Sequence, residues 1–569
     1  MQKKNRKKNK NEKSFAKFFL KTKEKIKAKM ATLIVLLITF VAVLAVTFVD
    51  YATREASATA NYSDYEIGQI ADITVVAKRN IVPIASQDIS IKAGEKIIKK
   101  GFPITEEAYK KLQAISKTNE KLDTKGFMRS FVYLLLLILI IVLLFKATSR
   151  GQNLEFKETL FLCVLFFIVY TIASLVINMP TFSSPFAMVA FLPCALGSML
   201  VCILISLPVA NCVAITMALA VLVATAFKVE AFLFVLVSSL VGSRLVYKME
   251  KRMGFIHISA VLLIVHTILF FILYFIFPNQ EFQLFPCLAG VAFNGFISGV
   301  LALGFLTPLE AFLNTVTTFR LMDLSDLNSP IMKHMLLTAP GTYSHSVMVA
   351  TLAENACREI KANSLLARVG AYYHDLGKLE NPEYFVENQT SGNKHDELNP
   401  SLSVSIIRRH VRRGVEKAQQ LHLPEEVIDI IAEHHGNSVV GYFFNEAKKI
   451  DENVSADDYR YLGNPPSSKE AAVVMLADTV EAACRTLEKP TAQRLEKFIS
   501  MLVMKKYEES QLDNSDLTFK ELYKIQDVFV NILTGYYHSR IEYPNQKDPD
   551  KANENKGENA NQKEKENEK

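Results

Sequence analysis

The first half of the chain is dominated by long unbroken apolar stretches, and from about Leu321 the pattern changes to helical periodicity with polar faces. Apolar runs at 30–49, 130–146, 158–178, 185–205, 208–227, 229–247, 255–277 and 284–309 are each predicted to be bilayer-crossing helices. About 20 apolar residues at 1.5 Å rise cover the ~30 Å of hydrocarbon. The block 185–247 is nearly continuous, broken by Pro193 and Pro208, and is divided into three on length alone. That makes one anchor followed by seven passes. No small-residue cleavage pattern follows the first run, where Phe48, Val49, Asp50 and Tyr51 stand, so it reads as an uncleaved signal anchor.

Between the anchor and the second run, residues 51–128 are polar. Their second half predicts short strands at Ile81–Ile84, Ile89–Ile91 and Ile97–Lys99, then a helix with Thr105 as N-cap and Glu106 and Glu107 in its first turn. A small α+β module is expected there, either sensing a ligand or serving as a passive spacer. From Leu321 to Tyr543 almost no strand alternation occurs, and an all-α domain is expected. Pro424 with Glu425 and Glu426 opens a helix that stops at Gly436, and Ser467 with Glu470 reads as a capping box. The segment 310–332 carries Glu310, Arg320, Asp323 and Asp326 among spaced Leu and Phe, which fits a surface helix or a homodimer contact equally well. The tail 544–569 is almost entirely Asn, Lys, Glu and Asp and is expected to be disordered.

Charge sets the direction of insertion. Residues 1–29 hold 13 Lys or Arg against Glu12 and Glu24, so the chain's net +7 resides in this leader and the remainder is net negative. A nucleic-acid polymer is therefore not an expected partner. Short loops place Lys146, Arg150 and Lys157 on one side, together with Arg244, Lys248, Lys251 and Arg252, whereas 178–184 and 278–283 carry no Lys or Arg. Positive charge is retained inside, so the N-terminus and the C-terminal half are expected in the cytoplasm and 51–128 outside; the leader reads first as a topology signal, with contact to anionic lipid as the alternative. The 7 cysteines show no CxxC spacing, so neither a thiolate zinc site nor a disulfide framework is indicated.

Histidine carries the chemistry. Of 11, none precedes His257 and nine fall at or beyond His334. His345 lies in GTYSHSVMVATLAENA, His374 and Asp375 end the apolar helix LLARVGAYYHDLGK, His434 and His435 end EEVIDIIAEHHG, and Asp478 is inside AAVVMLADTVEAA. A buried carboxylate needs a cation, and no Lys or Arg lies one turn from Asp478. A metal meets that need. Two adjacent divalent ions require a bridging carboxylate, for which Asp375 beside His374 is suited, with His345, His410, His434, His435 and Asp478 supplying the rest. Lys378, one turn after Asp375, either offers a cation to a substrate phosphate or is a solvated helix-end charge. His395-Asp396 is a second such dipeptide, but in the polar loop GNKHDELNP it is expected to order the loop or touch substrate rather than bind metal.

The order His345, His374-Asp375, His410, His434-His435, Asp478 resembles the HD-domain metal phosphohydrolases, specifically the 7TM-HD family of membrane-bound cyclic di-AMP phosphodiesterases. The motifs APGTYSHSVMVA, LLARVGAYYHDLGK, HHG and MLADTVEAACR carry the resemblance over roughly 130–540. It departs in its much shorter outer segment and in Ser344, where the family often has histidine. The resemblance implies an all-α polytopic membrane domain followed by a cytoplasmic HD domain at 333–543. It also implies a hydrolase with two divalent ions, manganese or iron, one held by His345, His374, Asp375 and Asp478, the other by Asp375, His410, His434 and His435. Cyclic di-AMP would be opened to pApA by a two-metal-activated hydroxide, with His374, Asp375 and Lys378 at the catalytic centre. Rival substrates are cyclic di-GMP, an alarmone or a dNTP. The cyclic di-GMP type carries a GYP signature, whereas here Gly441-Tyr442 is followed by Phe443. A different reading is an inactive receptor relaying a membrane or outer ligand signal.

Overall fold

The computed structural model describes residues 27, 29–51, 65–71, 74–76, 91, 95–117, 124–148, 154–176, 192–225, 227–277, 284–389, 392–487 and 490–537. Most of the basic leader, the expected strand Ile81–Ile84, the expected strand Ile89–Ile91 apart from Ile91, and the polar tail lie outside these residues. Two compact units divide the chain, Met1–Phe319 and Arg320–Lys569.

The first unit begins with helix α1 (Lys29–Tyr51). Strands β1 (Val75–Val76) and β2 (Lys96–Ile98) pair antiparallel, Val75 opposite Ile98, and helix α2 (Glu106–Lys117) follows. Thr105 Oγ1 accepts from Ala108 N at 3.2 Å, as its capping role requires. Tyr65, Val75, Ile91, Ile98, Ile104 and Leu112 form a small core here. Strand β2 matches the third expected strand, whereas β1 was not foreseen.

The remaining helices of this unit are α3 (Thr124–Thr148), α4 (Phe156–Val176), α5 (Cys194–Leu204), α6 (Leu207–Ala224), α7 (Val229–Val246), α8 (Gly254–Ile276) and α9 (Leu284–Leu313). Seven helices among the described residues are long and apolar enough to cross a bilayer: α1, α3, α4, α6, α7, α8 and α9. Of the eight expected spans, the one at 185–205 is the exception. Its described part is α5, of 11 residues, which at 1.5 Å per residue is too short to span ~30 Å; residues 185–191 lie outside the described set.

Large apolar side chains such as Leu139, Ile264 and Phe275 are exposed, as a lipid-facing surface allows. Several polar groups turn inward and find partners, because an unpaired polar group in hydrocarbon costs several kcal/mol. Ser198 Oγ donates to Ser239 O at 2.7 Å, Ser239 Oγ donates to Cys194 O at 2.9 Å, and Asn294 Nδ2 donates to Leu192 O. His266 Nε2 lies 2.6 Å from Ser238 Oγ. Asn294 thus bonds the segment just before α5, and His266 bonds a neighbouring helix.

Next come α10 (Thr318–Leu324), α11 (Pro330–Thr338), α12 (Pro340–Glu359), α13 (Ser364–Tyr373), α14 (Pro400–Gln420), α15 (Glu425–Glu433), α16 (Gly441–Ile450), α17 (Lys469–Cys484), α18 (Ala492–Glu508) and α19 (Phe519–Tyr537). In the second unit an isolated bridge, Val439 with Arg460, is the extended pairing among the described residues, so the expected all-α character holds. Helix α17 is the hub: Ala471 through Ala477 are fully buried, and α12, α13, α15, α18 and α19 pack on it. Asn363 and Asn399 cap α13 and α14 through side-chain oxygens that accept from Leu366 N at 3.0 Å and Leu402 N at 2.8 Å. One cap differs from expectation. Ser468, not Ser467, caps α17, accepting from Ala471 N at 3.1 Å. Ser467 instead donates through N and Oγ to Glu433 Oε2, because a tertiary carboxylate within reach competes with the helix end.

Candidate metal centre

Each candidate residue is delivered by a local feature of its helix. His345 is on the second turn of α12, His374 terminates α13 as its C-cap, and Asp375 follows in the turn. His410 is midway along α14, His434 is the C-cap of α15 with His435 beyond it, and Asp478 is inside α17. Gly377 permits the key approach: a Cβ there would collide with His410 O. Without one, the Asp375–Lys378 turn lies directly against α14.

All seven side chains converge. One oxygen of Asp375, Oδ2, lies 3.2 Å from His374 Nε2 and 3.7 Å from His345 Nε2. The other, Oδ1, lies 3.5 Å from His410 Nε2 and 3.8 Å from His434 Nε2. Asp478 divides in the same way, Oδ1 to His345 Nε2 at 3.1 Å and Oδ2 to His435 Nδ1 at 3.5 Å. Two groups with cation-sized separations result, His345, His374 and Asp375 on one side and His410, His434 and His435 on the other.

The tautomers follow from the hydrogen bonds. His374 Nδ1 bonds Ala371 O at 2.7 Å, His410 Nδ1 bonds Ile407 O at 2.6 Å, and His434 Nδ1 bonds Ile431 O at 2.8 Å. A carbonyl oxygen can only accept, so each Nδ1 carries a proton and each Nε2 is the ring nitrogen left facing the cluster. His374 Nε2 is buried without a hydrogen-bond partner. Convergent imidazole lone pairs around buried carboxylate oxygens are the donor set that a divalent transition ion takes, so the residues fit such an ion.

Electrostatics are shaped by burial first. Burial pulls His410 down to about 4 and His434 to about 3, and lowers His435 well below the ordinary histidine value. For His345 burial is outweighed by hydrogen bonds to Asp478 and Glu481, which lift it to about 10. Burial would raise Asp375, but His374 and Lys378 hold it well below the usual carboxylate range. Lys378 Nζ is 2.6 Å from Asp375 Oδ2 and 2.8 Å from Glu387 Oε1. It is therefore a buried ion-paired cation rather than a solvated helix-end charge.

Sequence reasoning missed several residues. Glu481 Oε2 takes His345 Nδ1 at 2.5 Å; its signal was its position three residues after Asp478, on the same face of α17. Tyr461 stacks on His435 with ring centroids 4.2 Å apart, for which no sequence signal exists. A pocket of about 750 Å³ adjoins His435, with Arg408, Arg409, Arg412 and Arg413 along one wall and Tyr461 on another. Arg409 and His410 also border a smaller pocket of about 180 Å³. His395 stays outside the cluster, donating through Nε2 to Tyr384 O at 2.9 Å, so it orders its loop.

Known proteins are similar in both halves. Residues 125–317 match the family described as "7TM receptor with intracellular HD hydrolase", and residues 342–483 match the HD domain. The cyclic-di-AMP phosphodiesterase PgpH of Bacillus subtilis (strain 168) is 33% identical over 482 residues, covering 82% of this chain and 67% of that protein. Its namesake from Listeria monocytogenes serotype 1/2a (strain 10403S) is 32% identical over 480 residues, 83% of this chain and 66% of that protein. This chain thus spans about two thirds of the length of these relatives. The crystal structure of the L. monocytogenes PgpH HD domain in complex with cyclic-di-AMP is 43% identical, covering 38% of this chain and all of that one, at a TM-score of 0.36. With several bilayer-length helices in its first unit and an HD hydrolase domain in its second, this multi-pass membrane protein belongs to the 7TM-HD family.

Proposed function

We propose that this protein is a membrane-bound, metal-dependent phosphodiesterase that hydrolyses cyclic di-AMP to pApA. The observation that carries the reading is the convergence of five imidazoles on Asp375 and Asp478, in two groups of cation-binding geometry. Substrate identity draws on the relatives named as cyclic-di-AMP phosphodiesterases. The arginine-walled pocket beside His435 supports it, since a cyclic dinucleotide is a dianion with flat apolar bases. The absence of proline after Gly441-Tyr442 favours the adenine dinucleotide over cyclic di-GMP.

In this reading His345, His374, Asp375 and Asp478 hold one ion, and Asp375, His410, His434 and His435 the other, manganese or iron in each case. When bound, such ions supply Lewis acidity, which acidifies a water molecule and neutralises phosphoryl oxygens. The chain's own residues supply the order. The Nδ1 bonds to Ala371, Ile407 and Ile431 and the Glu481 contact to His345 lock the rings, so the donor atoms need no rearrangement. The buried Asp375 carboxylate presents one oxygen to each group of histidines. Lys378, tethered by Glu387, brings a positive charge to the transferring phosphoryl group. Arg409 and its neighbours receive the second phosphodiester, and the Tyr461 ring offers a face to a base. Water oxygen bonds to phosphorus, the P–O3′ bond breaks, the 3′ oxygen leaves as a hydroxyl, and the ring opens to the linear dinucleotide.

The basic loops support a cytoplasmic catalytic unit and N-terminus, with the 51–128 module outside. Purified full-length protein in lipid nanodiscs with manganese is expected to convert cyclic di-AMP to pApA, and His374→Ala or Asp375→Ala to abolish conversion. Metal-loaded protein that binds the nucleotide without turnover would favour a receptor instead.

A further inference from the structure

The two histidines that close α15 are followed at once by a weak point. Gly436 has φ +54°, and the turn Gly436–Ser438 leads away from His434 and His435 on two short-range backbone bonds, Gly436 N to Glu433 O at 2.8 Å and Ser438 N to His435 O at 3.2 Å, with Arg460 Nη1 donating to Asn437 O at 3.2 Å. A turn with so few bonds of its own depends on the contacts its side chains and remaining backbone groups make with neighbouring elements.

Here the clamp comes from the end of α18, beyond the residues matched by the HD domain family. Gln511 is fully buried. Its Oε1 accepts from Asn437 N at 3.2 Å, and its Nε2 donates to Asn437 Oδ1 at 2.6 Å and to Glu509 O at 3.0 Å. It also fills the space beside Gly436, where a Cβ would collide with Gln511 Oε1. Lys506 Nζ donates to Ser438 Oγ at 2.8 Å. The two anchors are linked to each other, because Gln511 N donates to Lys506 O at 3.0 Å across Ser510, which has φ +56°. A non-glycine residue in that left-handed conformation is disfavoured by about 1 kcal/mol or more, so the helix end is held in this form by its surroundings. On its other side the turn holds the pocket wall: Tyr461 N donates to Ser438 O at 2.9 Å, and Tyr461 is the ring stacked on His435.

We propose that Gln511 and Lys506 are positioning residues for the His410–His434–His435 half of the metal centre, acting through the Gly436–Ser438 turn. The inference rests on the metal-centre reading above. It separates the two halves of the centre, since His345, His374 and Asp478 are delivered by α12, α13 and α17 and do not depend on this turn.

The test uses full-length protein in nanodiscs, titrated with manganese and followed by metal analysis after dialysis and by the electron-spin resonance signal of exchange-coupled manganese pairs. Wild type is expected to bind two ions and give the pair signal. Gln511→Ala should weaken the second ion roughly 10- to 100-fold, the usual effect of removing an outer support, and lose the pair signal at manganese that saturates wild type. The first ion should keep its affinity. Gln511→Glu keeps the acceptor for Asn437 N but not the donor, and should fall between. Lys506→Met removes only the Ser438 contact and should weaken the second ion roughly five-fold. It decides the question if Gln511→Ala does not fold. An unchanged second ion in these variants, or equal loss of both ions, overturns the proposal. Wild type that binds no manganese would remove the proposed function and this inference together.

Discussion

His410 Nε2 and His434 Nε2 stand 3.2 Å apart, each on a ring whose Nδ1 proton is already committed to a backbone carbonyl. Two lone pairs facing each other at that distance in a buried site repel, and a cation between or beside them removes the repulsion. Loading should therefore stabilise the fold as well as activate it. At ~100 times the dissociation constant one ion contributes about 2.7 kcal/mol, which for a unit of this size corresponds to roughly 5–10 °C. Thermal unfolding of the chelator-treated chain with and without manganese checks this, and an unshifted midpoint would contradict it.

Among the described residues, Glu481 supports His345 from the side away from the cluster, through Nδ1. Glu481→Gln keeps shape and removes the charge from the 2.5 Å contact to Nδ1. Metal affinity of the His345 group should fall roughly 10- to 100-fold, with the other group unaffected. Equilibrium dialysis with manganese separates the two sites. Opposite site selectivity from Gln511→Ala is the informative outcome.

Arg409 makes no ion pair among the described residues, whereas Arg412 and Arg413 both pair with Glu416. It borders both pockets and is the cation best placed for a second phosphodiester. Arg409→Ala should raise KM roughly ten-fold, the scale of one lost charge-assisted hydrogen bond, with kcat nearly unchanged. Steady-state kinetics at two ionic strengths would show it; a fall in kcat at constant KM would place Arg409 elsewhere in the reaction.

Acid should destabilise the metal-free protein well above the range where carboxylates titrate. In the folded chain burial holds His410 at about 4 and His434 at about 3, while an unfolded chain holds histidine near 6.5. Between those values the unfolded state binds more protons, so the contribution is complete above pH 6.5 and is lost as pH falls towards 4 and 3. His345, raised to about 10, works in the opposite sense, but its contribution is complete below pH 6.5 and disappears only as pH rises through 10, so it leaves the acid loss in place. Denaturant midpoints from pH 7 to 5 should fall, and His434→Gln should flatten the profile. A midpoint independent of pH in both proteins would contradict the burial of neutral imidazoles.

The parts of the fold that were legible before tertiary structure are those governed by nearest neighbours. Apolar length identified the bilayer-crossing helices α1, α3, α4, α6, α7, α8 and α9, and Thr105 announced its helix start. The cap of α17 and the short helix α5 mark the limit. Ser467 and Ser468 are chemically equivalent as caps, and only the arrival of Glu433 from another helix assigned them different partners. Between Pro193 and Pro208 hydropathy alone did not show where the helix would start and stop; the described helix there is Cys194–Leu204, and residues 185–191 of the expected span lie outside the described set.

Sequence by itself determined which groups cannot tolerate burial alone: His345, His374, Asp375, His434, His435 and Asp478 are polar residues in or at the ends of apolar helical patterns, and desolvation makes each of them demand a partner, whereas His410, in the basic stretch IIRRHVRRG, was marked by its place in the order of ligands. Which partners they take was decided by tertiary structure. The division of Asp375 between two groups, the Glu481 support, the Tyr461 stack, the arginine wall and the Gln511–Lys506 clamp join residues far apart in the chain. Periodicity reports which face of a helix is buried, but a distance between helices depends on how they pack, and that is set by the whole core.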